Sequence, residues 1–453
     1  MPIDLITIGR SGAAAARASL EVTAQNIANA ANPDYVRRSL QLSELVGRAN
    51  VNFEQTSAFS GVQISGITRP DSELVQRRAR DSGSDLARAE AELSGLRDAE
   101  TALEQSGLYN ALVGFEAGLT LLESDPTDPA LRSGALENAR QLAQTFEFAD
   151  TSLTNARDLV EDEIRVGVDT INGAAAELAR INRDLVNARE GTGGRAALLD
   201  ARDAALREIA GEFGMVTQFD QFGAVEVRLV GTPLPPGEVG VLLIDGGNFS
   251  TLTTSFDPAG GARFSFAGSA DFSPISGAMA GRDAALSAIG QEQSELDAIA
   301  AQVIGRANTA QAAGAALNGS PGQPLFSGAD ASDIALALNN GDQLALAPAG
   351  SPAGSRDTTN LSNLIGAFAD PNGPIAATDR MLLSLSSRIS GIDTTREGLA
   401  IINAAAQAEL LSETGVDLNA EAADLIRLQQ AFEANSRVIQ VASDIFDTIL
   451  GIG

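Results

Sequence analysis

With 453 residues, 44% of them apolar, the chain is long enough for two or three domains with sizeable cores. Its formal charge is −28, with Arg as the sole basic residue type, and so acidic a surface repels phosphate, which argues against DNA or RNA as partners. Cys and His are both absent, which excludes disulfides, thiolate metal sites, Ser–His–Asp triads and HExxH zinc sites; no metal, cofactor or catalytic residue is expected.

The first 31 residues read as one helix. Leu5, Ile8, Gly12, Ala15, Ser19, Val22, Asn26 and Asn29 alternate by three and four, the coiled-coil spacing. A neighbouring stripe containing Gly9, Ala16, Leu20, Thr23 and Ile27 is also small or apolar, which gives the helix two faces to pack. Pro33 ends it and restricts Asn32. Residues 1–70 hold six Arg against five Asp or Glu, so this arm is nearly neutral and packs into an assembly without strong self-repulsion. Helical patterning follows over 71–106, 108–123, 129–189 and 196–210, broken at Asp125–Pro126, Asp128–Pro129 and Gly191–Gly194.

From Met215 to Ala267 the period changes to two. Val225, Val227 and Leu229 alternate with Glu226 and Arg228 between turn signals at Pro235–Gly237, Gly246–Gly247 and Asp257–Pro258. Arg202–Asp203–Ala204–Ala205–Leu206 before this stretch is echoed by Arg282–Asp283–Ala284–Ala285–Leu286 after it. One helix thus leads out of a helical body and another leads back at an adjacent point. Helices over 285–316 and 379–412 flank a loop-rich 318–378. In the last helix Leu425, Leu428, Phe432, Asn435, Ile439, Ala442, Phe446 and Ile449 repeat the three-four spacing, with Asn419 as N-cap and Glu421 and Asp424 in or near the first turn.

The expected fold is mainly α with a β insertion. Terminal helices in 1–70 and 395–453 pair as a coiled coil, 71–212 and 281–394 form a helical middle, and 213–280 is a small all-β domain that faces outward. Because loop closure costs little extra as loops lengthen, this β module is expected to be replaceable by a short Gly/Ser linker.

Other motifs carry little. Gly191–Gly194 lacks the Gly-Lys-Ser/Thr of a phosphate loop and reads as a linker; Asp245–Gly246–Gly247–Asn248 lacks EF-hand spacing and reads as a hairpin turn; Glu161–Asp162–Glu163 reads as a solvated helix face. The N-terminus lacks the flank and cleavage site of a secretory signal, and no apolar stretch approaches the roughly 20 residues of a membrane span. A soluble chain, exported without a cleaved signal and without membrane contact, is expected.

Asn26–Ile27–Ala28–Asn29 followed by Asn32–Pro33–Asp34–Tyr35 resembles the N-terminal signature of flagellar rod, hook and hook-associated proteins, with Asp34 where Gly is usual. The stretch from Val416 through Gln429–Gln430–Ala431–Phe432 and Ala434–Asn435 to Ile439 is similar to the C-terminus of the hook-associated protein 1 family. Ser124–Arg132, Leu198–Asp203 and Asn318–Phe326 are similar to that family's Pro-rich helix break, its Leu-Leu-Asp-x-Arg-Asp helix and its Asn-Gly turn. The resemblance covers most of 1–210 and 281–453. It implies a structural, non-enzymatic component of the extracellular flagellum at the hook–filament junction, secreted by the type III apparatus. Its terminal helices would pair into an inner tube. Expected partners are further copies of the chain, the hook protein, a second hook-associated junction protein and an export chaperone. Leu5, Ile8, Leu20, Asn26, Ile27, Asn29, Tyr35, Leu425, Leu428, Phe432, Asn435, Ile439, Phe446 and Ile449 are the assembly candidates. A hook or distal-rod subunit is the alternative within the same group, and a surface enzyme or adhesin displayed on the β segment the alternative outside it.

Overall fold

The computed structural model describes residues 2–46, 59–234, 237–257 and 260–451. α1 (Pro2–Asn29) leads into a two-stranded antiparallel hairpin, β1 (Ser39–Val46) and β2 (Phe59–Thr68). Helices α2 (Glu73–Ser106), α3 (Leu108–Leu122), α4 (Pro129–Asn187) and α5 (Gly193–Glu212) follow. Then come the strands β3 (Met215–Phe219), β4 (Val225–Leu229), β5 (Gly231–Thr232), β6 (Val241–Asp245), β7 (Asn248–Phe249), β8 (Leu252–Phe256), β9 (Ala262–Phe266) and β10 (Ser273–Pro274). α6 (Ala278–Ala312) returns to the helices. A loop-rich stretch holds two short antiparallel pairs, Gly314–Ala315 with Ala347–Pro348 and Phe326–Ser327 with Ala335–Leu336. α7 (Thr359–Ala369), α8 (Pro374–Thr414) and α9 (Leu418–Gly451) complete the chain.

The backbone of the body is α4, 59 residues and so roughly 90 Å long. Its start is fixed by chemistry visible in the sequence: Asp128 accepts hydrogen bonds from the amides of Ala130 (2.7 Å) and Leu131 (3.0 Å), and Pro129 takes the first helical position, where its missing N–H is not needed. Leu142, Phe146, Leu153, Val160, Ile164, Ile171, Leu178 and Leu185 then recur on one buried face, against α2, α3, α5 and α6. The preceding Pro-rich break is locked by Arg132, 2% exposed, whose guanidinium donates to the carbonyls of Pro126, Gly341 and Leu344.

β3, β4, β6 and β7 form one antiparallel sheet in that order, and β8 pairs with β9. The expected adjacency of exit and return holds: the Gly214 amide donates to the Ser276 carbonyl at 3.1 Å. Asp245 pairs with Asn248 across the Gly246–Gly247 turn. Replaceability is a different matter. The β segment shares one core with the helices: Phe213 at the end of α5 meets Phe264 and Phe272 edge-on at 5.6 and 5.7 Å, and Val227, Leu229, Leu243 and Met279 belong to the same buried cluster. Two asparagines of α4 hold the strands by paired bonds. Asn182 bonds the N–H and C=O of Val225, each at 2.9 Å, and Asn172 those of Leu252 at 2.8 and 2.9 Å.

Three further expectations change. The Ser39–Val46/Phe59–Thr68 hairpin and α7 are additional elements. α9 is capped by Asp417 rather than Asn419: the Asp417 carboxylate accepts from the amides of Asn419 (2.8 Å) and Ala420 (3.3 Å).

Replacing Met215–Pro274 by a Gly/Ser linker is expected to destabilise the helical body by several kcal/mol, since each large apolar side chain uncovered costs about 1.5–3 kcal/mol; thermal unfolding of the trimmed chain checks this, and an unchanged midpoint would contradict it. A second expectation concerns Glu292 of α6, whose carboxyl is pushed up to about 7 by burial, with Glu295 adding to the rise and Arg388 opposing it. Such a group supports the fold fully below its unfolded value near 4.5 and loses that support as pH rises through about 7. Glu292→Gln should therefore match the parent near pH 4.5 and exceed its stability at pH 8 by up to about 3 kcal/mol, measured by urea unfolding at both pH values.

Candidate functional site

α1 and α9 lie side by side and antiparallel, with Gly9 against Ile439 at one end and Asn26 against Glu421 at the other. Gly9 permits the approach, because a Cβ there would stand 2.8 Å from Ile439 Cγ1; Gly12 leaves the space that the Asn435 side chain fills. Ala15, Ala16, Val22 and Thr23 are buried along α1, and Ala442 along α9.

Of the candidates read from the sequence, Asn26, Asn435 and Ile439 meet the opposite helix at the seam within a single chain. Asn26 is fully buried. Ile8, Leu20, Ile27, Asn29, Tyr35, Leu425, Leu428, Asn435 and Ile439 are half-buried, and Leu5, Phe432 and Phe446 are exposed. Ile449 belongs to α9, and its side chain lies outside the described residues.

Asn26 is the centre. Its amide nitrogen donates to the Arg38 carbonyl (2.9 Å) and to Glu421 Oε2 (3.2 Å). Its amide oxygen accepts from the Tyr35 hydroxyl (2.8 Å) and the Arg38 amide (3.0 Å). Two donors and two acceptors exhaust what an asparagine can offer, and a carboxylate or an apolar side chain cannot supply both. Glu421, 1% exposed, also accepts from Arg37 Nε at 2.6 Å. The Asn26–Ile27–Ala28–Asn29 and Pro33–Asp34–Tyr35 motifs are thus two halves of one knot that folds the chain back after α1 and receives α9. The Asn29 side chain, by contrast, donates to the Gln25 carbonyl of its own helix. Burial raises the Tyr35 hydroxyl above its ordinary pKa, with Arg38 opposing, so Tyr35 stays a donor.

A second layer ties this knot to the body. Arg38 lies over the Tyr35 ring at 4.8 Å and donates to Asp200 Oδ2 of α5 at 2.8 Å. Arg69, beyond β2, donates to Asp200 Oδ1 at 2.9 Å and to Asp203. Arg202 and Gln76 of α2 complete the ring around Asp203. Burial raises the Asp200 carboxyl, with Arg38 and Arg69 pulling the other way. The hairpin is held too: Ser11 of α1 accepts from the Val62 amide at 3.2 Å, and the Ile67 amide donates to the Gly191 carbonyl at 2.8 Å, where Gly66 and Gly191 touch backbone to backbone.

Arg37, Arg38, Arg69, Asp200, Asp203 and Gln76 were not singled out from the sequence. The signal available was Leu198–Asp203 itself: Asp200, Arg202 and Asp203 fall among buried positions of α5, where unpaired charge would be costly. Among the described residues no group of three or more acids is placed to hold a metal ion. The arrangement fixes where the paired terminal helices stand relative to the body.

Residues 96–326 match the family described as flagellar hook-associated protein FlgK helical domain, and 407–452 match the flagellar basal body rod FlgEFG protein C-terminal family. Flagellar hook-associated protein 1 of Escherichia coli K12 is 26% identical over 232 residues, 50% of this chain and 42% of that protein. Its counterpart in Salmonella typhimurium is 29% identical over 213 residues, 46% of this chain and 37% of that protein. The matched stretches therefore span less than half the length of these curated relatives. The solved flagellar hook junction protein FlgK from Burkholderia pseudomallei superposes with a TM-score of 0.62 at 14% identity, covering 75% of this chain and all of that one, a likeness of fold.

Asp200→Ala would leave the Arg38 and Arg69 guanidiniums close together without their shared carboxylate. The expected loss is about 3–5 kcal/mol in urea unfolding; a loss below about 1 kcal/mol would show that the bridge is not a stabilising tie.

Proposed function

The chain belongs to the flagellar hook-associated protein FlgK family, and we propose that it is a structural subunit of the bacterial flagellum that joins hook to filament. The family is structural, so no reaction is sought in the molecule.

One observation carries the reading. The α1–α9 pair is closed on one side by the seam, and elsewhere it leaves large apolar side chains exposed among charged ones: Leu5, Ile426, Phe432, Val438, Val441, Ile445 and Phe446, Val441 at 57%. So many large apolar side chains in the open on one helix pair call for a covering surface. Packing of these side chains between copies, with the terminal helices as a coiled-coil inner tube and the body at larger radius, supplies the cover. The division into terminal, helical and β domains is part of the same proposal. So are type III export without a cleaved signal, chaperone binding to the C-terminal region before export, an extracellular position, and contacts with the hook protein and a second hook-associated protein. A hook or distal-rod role draws on the match over 407–452, which rod proteins share; the match over 96–326 favours the junction role.

In a strain lacking its own junction protein, the intact chain should restore attached filaments. Versions without 2–30 or 418–451 should leave flagellin shed into the medium. Phe432 is 39% exposed, so Phe432→Ala should leave the monomer's melting temperature within a few degrees while reducing the fraction of cells with filaments. A large melting drop with filaments intact would contradict the assignment of Phe432 to contacts between copies.

A further inference from the structure

Between the Pro33–Val36 turn, α2, α5 and the last turn of α8 lies a cavity of about 220 Å³. We infer that it is a binding site for a carboxylate carried on a short aliphatic stem. Arg80 is only 5% exposed, yet its guanidinium makes no hydrogen bond and no ion pair among the described residues, and it lines the cavity. A guanidinium this far out of water with no hydrogen-bonded partner is costly, and the cost falls when an anion binds it. In a chain with a net charge of −28, a cation with no hydrogen-bonded acid is not explained by any shortage of acids.

The nearest anion cannot serve. Asp203 borders the same cavity, but its oxygens already accept from Arg69, Arg202 and Gln76. Asp203 and Asp81 are near enough to favour the charged form of Arg80, while burial pulls the guanidinium below its ordinary pKa more strongly. Further donors converge from other elements. Arg207 of α5 holds Asp34 through Nη2 at 2.7 Å and also lines the cavity, as does Gln407 of α8. The planar fork of Arg80 matches the two oxygens of a carboxylate.

The remaining wall decides between anions. Val36 is buried and Leu410 half-buried, and Leu411 stands at the exposed rim. Apolar walls beside a guanidinium favour an aliphatic acid, which buries its stem, over sulfate or phosphate, which would lose hydration on every side. The carboxylate could belong to a free organic acid or to an acidic side chain of an incoming polypeptide; the chemistry of recognition is shared.

The test is calorimetric titration of the full chain with butyrate, with acetyl-glutamate amide and with sulfate. At least one carboxylate should bind saturably at one site, more tightly than sulfate. A tighter butyrate points to a free acid, and a tighter acetyl-glutamate amide to a side chain on a polypeptide. Arg80→Gln should weaken that binding about tenfold or more while melting no lower than the parent, because burial costs the guanidinium more than the nearby acids return. Leu411→Trp, at an exposed rim position that leaves the fold alone, should block the cavity with a similar loss and decides the matter should Arg80→Gln fail to fold. Absence of saturable binding by either carboxylate, sulfate binding as tightly as both, or affinity unchanged in the two variants would overturn the inference.

Discussion

A buried asparagine that must satisfy four hydrogen bonds at once is the constraint on which this architecture turns. Asn26 cannot give way to a carboxylate: two of its bonds need a donor and two need an acceptor, and the partners come from the Tyr35–Arg38 return and from α9, nearly four hundred residues later. Each unmet bond in such a site costs about 1–3 kcal/mol, so the turn after α1 and the seating of α9 are satisfied together or not at all. Glu421 and Arg37 extend the knot, and Asp200 with Arg38 and Arg69 anchors it to α5. Two long helices that make their main contacts with each other and with the hairpin are thereby given a fixed direction relative to the body.

The same device recurs at several junctions between a loop or strand and a helix. Asn182 and Asn172 of α4 grip the β segment through paired backbone bonds. Asn308 of α6 grips Leu325 and Phe326, and Asn360 of α7 reaches the carbonyls of Ala310 and Ala345. Apolar burial gives the helices their cohesion, but it is non-directional. The asparagines supply register, because their bonds are directional.

Most of the helical frame was legible because long periodic segments advertise themselves. α1, α2, α3 and α4 each fall within a few residues of the span their spacing suggests, and the Asp128–Pro129 start of α4 follows directly from capping chemistry. The hairpin was not legible. Leu40 and Leu42 alternate over too short a run, β2 is interrupted by Gly61 and Gly66, and the pairing slips register between Gln41 and Leu42. α7 has only 11 residues, flanked by Asp357 and by Pro371–Asn372–Gly373, and its turn-rich surroundings masked it. For the site, the motifs pointed to Asn26 and Tyr35, but not to the arginines that complete it. A guanidinium meeting a carboxylate 130 to 390 positions away leaves no local pattern, whereas a heptad does. Phe432 shows the converse: spacing places it on the seam stripe, and only packing shows that the seam leaves it partly open.

The central claim is that Asn26 and Glu421 act as one unit in holding the chain's two ends together. A double-mutant cycle of Asn26→Ala, Glu421→Ala and the pair, read from native-state hydrogen exchange of the α1 amides, tests it most directly. The account predicts a coupling of roughly 1–3 kcal/mol, with either single change releasing α1 nearly as much as both. Additive effects, with a coupling within about 0.3 kcal/mol of zero, would mean that the two ends are held by apolar contact alone and would contradict it.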